Sequence, residues 1–245
     1  MQKNYRMATT ALLSLAGLCF SLAAQALPTV AGSALLTASN ESQLASWLGE
    51  GNVKLTNIYT KAAGDTSLNF HHAADGKGRT FSVMQASNEL GQTWLVGGYN
   101  PQSWSSDQGY NRTPENAQRT AFIFNLTSDV VHRQTPKTQV LDEVGSYQTY
   151  NGAKFGPTFG IGNDLAVPED LSTGGVSYMY SYVDPVAGHF GTSLLDGSAF
   201  HGPNIHFGAI EVFSISAVPE PETYAMMLAG LALLGWRRKA KASSV

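Results

Sequence analysis

The sequence predicts a mainly β fold, a β-sandwich with few helices, for the long central part of the chain. Several short segments are rich in Val, Ile, Phe, Tyr and Thr and are separated by turn residues, which is typical of strands. Only 13% of the residues are charged, whereas Gly, Ser, Thr and Asn are plentiful. Residues 27–217 are enough for one domain with a real core, and several strands with glycine-bearing connections predict a sandwich.

The first element of this domain is predicted to be a short helix from Ser39 to Leu48. Ser39 or Asn40 can cap its N-terminus, Glu41 lies in its first turn, and Gly49 follows its last residue. Its large apolar residues share one face: Leu44, Trp47 and Leu48. We expect this face to pack against the sheet.

The segments that follow are predicted to be strands because they are short, rich in β-branched and aromatic residues, and bounded by turn residues. They are Val53–Tyr59, Thr80–Gln85, Thr93–Gly98, Thr120–Leu126, Tyr178–Val183 and Gly208–Ile215. No internal repeat is visible, so the sequence does not indicate a solenoid or a propeller.

Three glycine-bearing stretches are predicted to have structural roles rather than to bind a ligand. Both glycines of Asp75–Gly78 tolerate positive φ, so this stretch is predicted to be a tight turn that joins two strands rather than a phosphate-binding loop. Gly156–Gly160 is interpreted as a bend that leads into a buried Phe159. Gly97–Tyr99 with Trp104 favours close core packing over a face for carbohydrate.

The N-terminus has the pattern of an export signal. Basic residues precede an apolar stretch from Met7 to Ala24, and Ala24 and Ala26 fit the small-x-small cleavage pattern. Residues 1–26 are therefore predicted to be a signal peptide. Cys19, the only cysteine, lies within it, so we expect the mature protein to have no disulfide, cysteine nucleophile or thiolate metal site.

The C-terminal tail, predicted to span residues 218–245, has three parts. They are a strip with Pro219, Glu220 and Pro221, the apolar run Tyr224–Trp236, and a basic end with Arg237, Arg238 and Lys239. The prolines favour an extended, accessible strip, and the apolar run is predicted to be a membrane helix. Its thirteen residues cover roughly 20 Å of a hydrocarbon core of ~30 Å, so flanking residues or local thinning must help. The basic end indicates a cytoplasmic terminus, with the preceding domain across the membrane.

This three-part tail resembles the PEP-CTERM sorting signal of Gram-negative bacteria. The resemblance implies that an exosortase-type membrane enzyme recognises Pro219, Glu220 and Pro221, removes the tail, and delivers the protein to the cell surface or extracellular matrix. Such cells commonly produce exopolysaccharide. The alternative for the tail is an ordinary C-terminal membrane anchor.

The charge of the exported part excludes one class of partner. Of the 15 Lys and Arg residues, two precede Ala26 and four follow Trp236, which leaves 9 between those positions against 18 Asp and Glu. The net charge there is therefore about −9. No basic patch is available to neutralise phosphates, so nucleic acid is not expected as a partner.

The middle of the chain resembles the TLDc domain in five successive blocks that occur in the family's order. They are Phe70–Phe81, Val96–Tyr99 with Ser103–Trp104, Ala121–Phe124, Gly156–Gly160 with Asp164–Leu165, and Ile210–Phe213. The resemblance implies two antiparallel sheets flanked by a few helices and no established catalytic chemistry. In eukaryotes the family is linked to oxidation resistance and to the vacuolar proton pump. Family members often carry Cys where Ala74 stands, so a thiol-based role does not transfer to this chain.

Candidates for catalysis or metal binding are scattered among histidines, carboxylates and serines. They are His71, His72 and Asp75; His189, His201 and His206 with Asp196 and Glu211; the pairs Asp142–Glu143 and Glu169–Asp170; and Ser193 and Ser198. Adjacent histidines on a strand would point to opposite faces. No metal-ligand spacing, no carboxylate pair of established geometry and no Gly-x-Ser-x-Gly elbow is visible. We therefore expect no cofactor, no metal and no enzymatic activity.

The sequence thus favours an exported, surface-sorted protein with a non-catalytic TLDc-like interaction domain. The alternative is a protein that binds or hydrolyses the exopolysaccharide of the cell. A deep cleft with convergent polar groups would favour a hydrolase, and a shallow aromatic platform would favour a lectin-like protein.

Overall fold

The structure of the chain is a computed structural model that describes residues 32–137, 143–182, 190–200 and 202–218. The predicted signal peptide with Ala24 and Ala26, the sorting residues Pro219, Glu220 and Pro221, the membrane helix and the basic end lie outside the described residues. The domain boundaries at residues 27 and 217 stay predictions.

Two α-helices and eleven strands form the described part of the chain. The helices are α1 (Ala38–Leu48) and α2 (Ser67–Ala74), with short 3₁₀ turns at Asn116–Gln118 and Val144–Ser146. The strands are β1 (Val53–Thr60), β2 (Thr80–Ser87), β3 (Thr93–Asn100), β4 (Tyr110–Arg112), β5 (Phe122–Asn125), β6 (Val130–Arg133), β7 (Tyr147–Tyr150), β8 (Thr158–Phe159), β9 (Leu165–Ala166), β10 (Thr173–Gly175) and β11 (Ile205–Ala217).

The strands form two antiparallel sheets, as the sequence predicted. The larger sheet has the order β1-β11-β2-β3-β5-β6, with β10 pairing with one end of β11. The smaller sheet has the order β4-β7-β8-β9. The long strand β11 lies between β1 and β2, so the last strand of the domain joins its first two.

Both faces of the larger sheet are buried, which produces two hydrophobic cores. One core contains Leu44 of α1 with Phe81, Phe124 and Phe213 of the sheet. The other contains residues of the opposite sheet face together with Phe159 of the smaller sheet and residues of α2. This arrangement explains why β2 is buried at five successive positions instead of alternating.

Gly97 and Gly98 let aromatic rings approach the two faces of β3. A Cβ on Gly98 would lie 2.4 Å from the Phe159 ring in one core. A Cβ on Gly97 would lie 2.1 Å from the Ser82 carbonyl oxygen and 2.6 Å from the Phe124 ring. The core-packing interpretation of this stretch is confirmed, and because Tyr99 and Trp104 are also buried, they do not form a carbohydrate face.

The predicted first helix is confirmed, but Thr37 caps it instead of Ser39 or Asn40. The Thr37 hydroxyl accepts from the Asn40 N–H at 3.2 Å, and the Asn40 side chain accepts from the Thr37 N–H at 3.0 Å. Asn40 therefore takes the return position of a capping box. Gly49 ends the helix in the left-handed conformation, as predicted.

His71 and His72 lie on helix α2, so their predicted placement on a strand is wrong. Thr66 and Asn69 form a capping box that starts this helix. Asp75–Gly78 consequently joins a helix to a strand rather than two strands. Gly76 and Gly78 do have positive φ, at 70° and 76°, as the turn interpretation requires.

The predicted strand Tyr178–Val183 is absent from the described residues 178–182, which form extended loop structure and bends. The side chains alternate here, with Met179 and Ser181 buried and Tyr180 exposed. However, the N–H groups of residues 180–182 bond to the carboxyl group of Asp164 instead of a neighbouring strand. The alternation extends only as far as Ser181, because Tyr182 is also buried, and the strand pairing of this segment is limited to an isolated bridge between Tyr182 and Gln134.

In the described ranges, the helices are too short and too polar to cross a lipid bilayer.

Candidate functional site

Among the described residues, the structure does not bring the predicted catalytic candidates together in one site. His206 is exposed on β11, while His189 and His201 lie outside the described residues. Glu211 is buried and accepts hydrogen bonds from the Ser33 hydroxyl at 2.6 Å and the Ala34 N–H at 2.8 Å, so it fixes the start of the domain. Within the described residues, no three His, Cys, Asp or Glu side chains converge as a metal site would require.

His71 and Asp75 do meet, but as a pair with structural partners. The His71 Nδ1 atom lies 2.7 Å from Asp75 Oδ1, and its Nε2 atom lies 3.1 Å from the Phe155 carbonyl oxygen. The other carboxylate oxygen of Asp75 accepts from the Ser106 N–H at 2.7 Å. His71 is buried, whereas His72 is exposed. The pair therefore ties α2 to two loops.

The remaining candidates are surface groups with local partners. The Ser198 hydroxyl donates to Asp196 at 2.7 Å, and the Ser193 hydroxyl accepts from the Leu195 N–H at 3.2 Å. Glu143, Glu169 and Asp170 are exposed, as expected for solvated loop charges, and Asp142 lies outside the described residues. Among the described residues, these contacts place no histidine beside either serine hydroxyl as a base.

A group of aromatic side chains at one end of the domain is the most distinctive exposed feature. We call Tyr178, Tyr180, Phe190 and Phe200 the aromatic surface. Tyr180, Phe190 and Phe200 are 37–42% exposed. Ring centroids are 5.1 Å apart for Tyr178 and Phe200, 6.2 Å for Tyr178 and Tyr180, and 5.4 Å for Tyr180 and Phe190. The four rings therefore form a continuous row.

Backbone contacts hold this row in place. The Phe200 N–H donates to the Gly191 carbonyl at 3.0 Å, and the Gly191 N–H donates to the Met179 carbonyl at 2.7 Å. These bonds link the segments that carry Phe200, Phe190 and the two tyrosines. Beneath them, the Asn125 amide donates to the carbonyls of Leu194 and Leu195, which are both buried.

Asp164 is the buried polar group that positions the tyrosine segment. One of its oxygens accepts from the N–H groups of Tyr180, Ser181 and Tyr182 at 2.5, 2.8 and 2.9 Å. The other oxygen has no hydrogen-bond partner among the described residues. Burial raises the pKa of Asp164 to about 7, although the three N–H bonds act in the opposite direction.

The raised pKa of Asp164 predicts that the contribution of this residue to the unfolding free energy falls as pH rises. Because the pKa of Asp164 is higher in the folded state than its ordinary 3.8, the folded state holds the proton more tightly. The contribution is therefore complete below about pH 4 and is lost as pH rises towards 7, at up to about 1.4 kcal/mol per pH unit. Urea unfolding of wild type and Asp164→Asn across this range should show a flatter profile for the variant.

Asp170 offers a control with the opposite sign. The Thr173 hydroxyl holds the pKa of this carboxyl below its ordinary value, so its contribution is present at neutral pH and lost on acidification. Asp170→Asn should remove that contribution without changing the Asp164 effect. An Asp164→Asn variant with the wild-type pH profile would contradict the assignment.

A cleft of about 420 Å³ adjoins the aromatic surface at Phe200. It lies between the β2–β3 turn and the loop that precedes β11. Polar side chains dominate one part of its lining: Asn88, Glu89, Gln92, Asp196 and Asn204. The cleft therefore combines one exposed ring with amide and carboxylate groups.

A second aromatic group lies on the smaller sheet, at the edge formed by β4. Tyr110 is 40% exposed, and its ring centroid lies 5.0 Å from Tyr147 and 4.7 Å from Tyr150. The Arg112 guanidinium lies 4.5 Å from the centre of the Tyr147 ring. None of these residues lines the cleft beside Phe200, so this group serves as a comparison for the aromatic surface.

Sequence reasoning missed two polar anchors, the buried Asp164 and the half-buried Lys61. Asp164 belongs to a TLDc-like block, but its role as an acceptor of three N–H groups needs the fold. The Lys61 ammonium donates to the carbonyls of Leu171, Phe207 and Gly208 at 2.8–3.1 Å, and burial lowers its pKa. Lys61 therefore joins β1 to a distant loop and to β11, contacts that no local pattern indicates.

Comparison with known families agrees with this architecture. The TLDc domain profile matches residues 30–216, and the profile of the PEP-CTERM protein-sorting motif matches residues 217–239. No curated protein gives a significant match to the chain. The PEP-CTERM motif implies an exported bacterial protein that an exosortase sorts to the surface or the exterior. Because the TLDc match covers most of its length and both predicted sheets are present, the chain belongs to the TLDc domain family.

Proposed function

We propose that this protein is a non-catalytic interaction module of the cell surface or extracellular matrix, and that it binds through the aromatic surface. In this proposal the precursor is held in the inner membrane of a Gram-negative bacterium by its C-terminal helix. The exosortase then removes the tail, and the TLDc domain stays in the envelope or matrix. One observation carries the proposal: a protein with a surface-sorting motif exposes a continuous row of four aromatic rings.

The exposure of the row supports a binding role. Tyr178 is half-buried and the other three rings are more than a third exposed, although large apolar side chains are generally buried. Exposed aromatic groups beside polar residues commonly mark binding sites, because rigid rings offer a large contact area. The backbone bonds and the Asp164 anchor below the row give it a defined shape before any partner binds, which lowers the cost of association.

The alternative from another class is a protein that binds or hydrolyses polysaccharide. Aromatic rings beside amide groups favour the binding version. Glu89 and Asp196 both line the cleft, as a hydrolase would need, but both are exposed to water. A general acid of a glycosidase needs a shielded carboxyl group, so the environment of these two carboxylates supports binding rather than hydrolysis.

A reattachment assay tests the proposed function. Exported protein recovered from the surface fraction would be added to washed cells that lack the gene, and the bound fraction would be measured. We expect wild type to bind and the Phe190→Ala, Phe200→Ala double variant to bind at least about tenfold more weakly, because both changes remove exposed contact rings.

Tyr110→Ala is the matched control, since Tyr110 is about as exposed as the two phenylalanines but lies on the smaller sheet, outside the aromatic surface. This variant should bind like wild type. Equal binding by the double variant would contradict the proposed function. Release of reducing sugar ends from the cells would replace it with the hydrolase alternative.

A further inference from the structure

We propose that the cleft beside Phe200 binds an uncharged polysaccharide, with one sugar ring on Phe200 and further rings along the aromatic surface. This inference rests on the proposed function and names the ligand class of that same site. It is carried by four features of the described residues: the position of Phe200, the polar lining of the cleft, the sign of its charges and the length of the aromatic surface.

Phe200 is the only residue that belongs to both the aromatic surface and the described cleft lining. Its side chain is 42% exposed, and the Tyr178 ring contacts it nearly at right angles, at 70°. A sugar ring has an apolar C–H face and a rim of hydroxyl groups. The C–H face suits the exposed Phe200 ring, and the hydroxyl rim then faces the polar part of the cleft.

The polar lining provides groups that match sugar hydroxyls. Asn88, Gln92 and Asn204 supply amides, each with both donors and acceptors. Within the β2–β3 turn, the Asn88 amide already donates to the Gln92 side chain at 2.8 Å, and its oxygen accepts from the N–H groups of Leu90 and Gln92. The side-chain amides of Asn88 and Gln92 are therefore held in place by hydrogen bonds within the turn.

The charges of the lining select against acidic polymers. Glu89 and Asp196 are the ionisable residues among the described lining, where no Lys, Arg or His occurs. A polysaccharide with carboxylate or sulfate groups would meet the like charge of these two carboxylates, and the described lining has no cation to balance it. Because both carboxylates are exposed, salt screens the attraction of a cationic polymer as well as the repulsion of an anionic one, so neither charged class gains a salt-resistant contact here.

The length of the aromatic surface favours a polymer over a single sugar. From Phe200 the row continues through Tyr178 and Tyr180 to Phe190, with centroid spacings of 5.1, 6.2 and 5.4 Å. A single sugar on Phe200 would leave the other exposed rings of the row uncovered. A chain that leaves the cleft can continue along them.

Affinity electrophoresis of the exported protein tests this inference. Native gels would contain one of three neutral polymers (hydroxyethyl cellulose, galactomannan or dextran), anionic alginate, or cationic glycol chitosan. We expect retardation by at least one neutral polymer, with little change between about 50 and 500 mM NaCl, because no ion pair is involved. Alginate should not retard the protein.

Three variants test whether Phe200 itself contacts the neutral polymer. Phe200→Ala should weaken neutral-polymer binding at least about tenfold, as expected for loss of an anchoring ring, and Phe200→Tyr should retain it. Tyr110→Ala, on the smaller sheet, should behave like wild type. Because Phe200 is exposed, the unfolding midpoint of Phe200→Ala should equal that of wild type, which separates lost binding from lost folding.

The outcomes separate this inference from the proposed function. Failure of all three neutral polymers, binding to alginate, or binding to glycol chitosan alone that salt abolishes would overturn the inference. If the same preparation still reattaches to cells through the aromatic surface, a protein or other surface component is the partner and the proposed function stands. Loss of reattachment as well would overturn both.

Discussion

Replacement of Phe213 by alanine is expected to cost about 3–5 kcal/mol of unfolding free energy, the range for removal of a buried aromatic side chain. Phe213 is fully buried on β11, which lies between β1 and β2, and it lies opposite Phe81 of β2. It belongs to the core that α1 covers through Leu44. A cavity at this position would therefore loosen the contact between the helix and both halves of the sheet.

A loss of that size would leave a typical domain marginal, since such domains have ~5–15 kcal/mol of stability. Urea unfolding of the exported protein measures it. Phe190→Ala is the matched control, because it makes the same change at a side chain that is 42% exposed, and it should alter stability by less than about 0.5 kcal/mol. An unchanged midpoint for Phe213→Ala, with weakened attachment to cells, would instead make Phe213 a binding residue.

Replacement of Pro219 and Glu220 by alanine is expected to leave the protein in the inner membrane, with almost none at the cell surface. The two residues belong to the motif match at 217–239 and lie beyond β11, so the sheets should stay intact. The uncleaved apolar run would hold the chain in the bilayer, because its transfer to water exposes a large apolar area.

Fractionation of inner membrane, outer membrane and medium, followed by immunoblotting, gives the result for the double variant. Glu222→Ala is the control, because it removes an acidic residue of the same tail outside Pro-Glu-Pro. It should reach the surface like wild type. Normal release of the Pro219→Ala, Glu220→Ala protein would show that no enzyme reads this motif.

Much of the fold could be predicted because most strands of the larger sheet are recognisable from their own residues, which are rich in β-branched and aromatic types and are bounded by turn residues. Five of the six predicted strands correspond to β1, β2, β3, β5 and β11, with shifts at their ends. The strands of the smaller sheet have only two to four residues each, too few to show an alternation. The sixth predicted strand failed because Asp164, sixteen residues before Tyr180, takes the N–H groups that a neighbouring strand would take.

The candidate site could not be predicted because its parts are distant in sequence. Asn88 and Gln92 come from the turn between β2 and β3, whereas Asp196 and Phe200 come from the loop before β11. The aromatic residues of the site have no regular spacing. The sequence directed attention to Tyr99 and Trp104 instead, and both proved to be core residues because β3 lies between two hydrophobic layers.

The fold shows the role of the position at which Ala74 stands in this chain. Ala74, which stands where relatives often have Cys, is fully buried in the core between the sheets. This position contributes packing in this protein. The binding role that we propose instead rests on the exposed aromatic rings and on the amides of the cleft.

Intact-mass spectrometry of the native protein, isolated from the surface or matrix fraction, tests whether the C-terminal tail is a sorting signal that is removed. We expect a chain that begins near Leu27 and lacks Trp236, because the signal peptide and the sorting tail are both removed. That mass would correspond to a free TLDc domain placed outside the cell. A surface protein that retains Trp236 and the basic end would contradict the account, since its tail would then be a membrane anchor rather than a sorting signal.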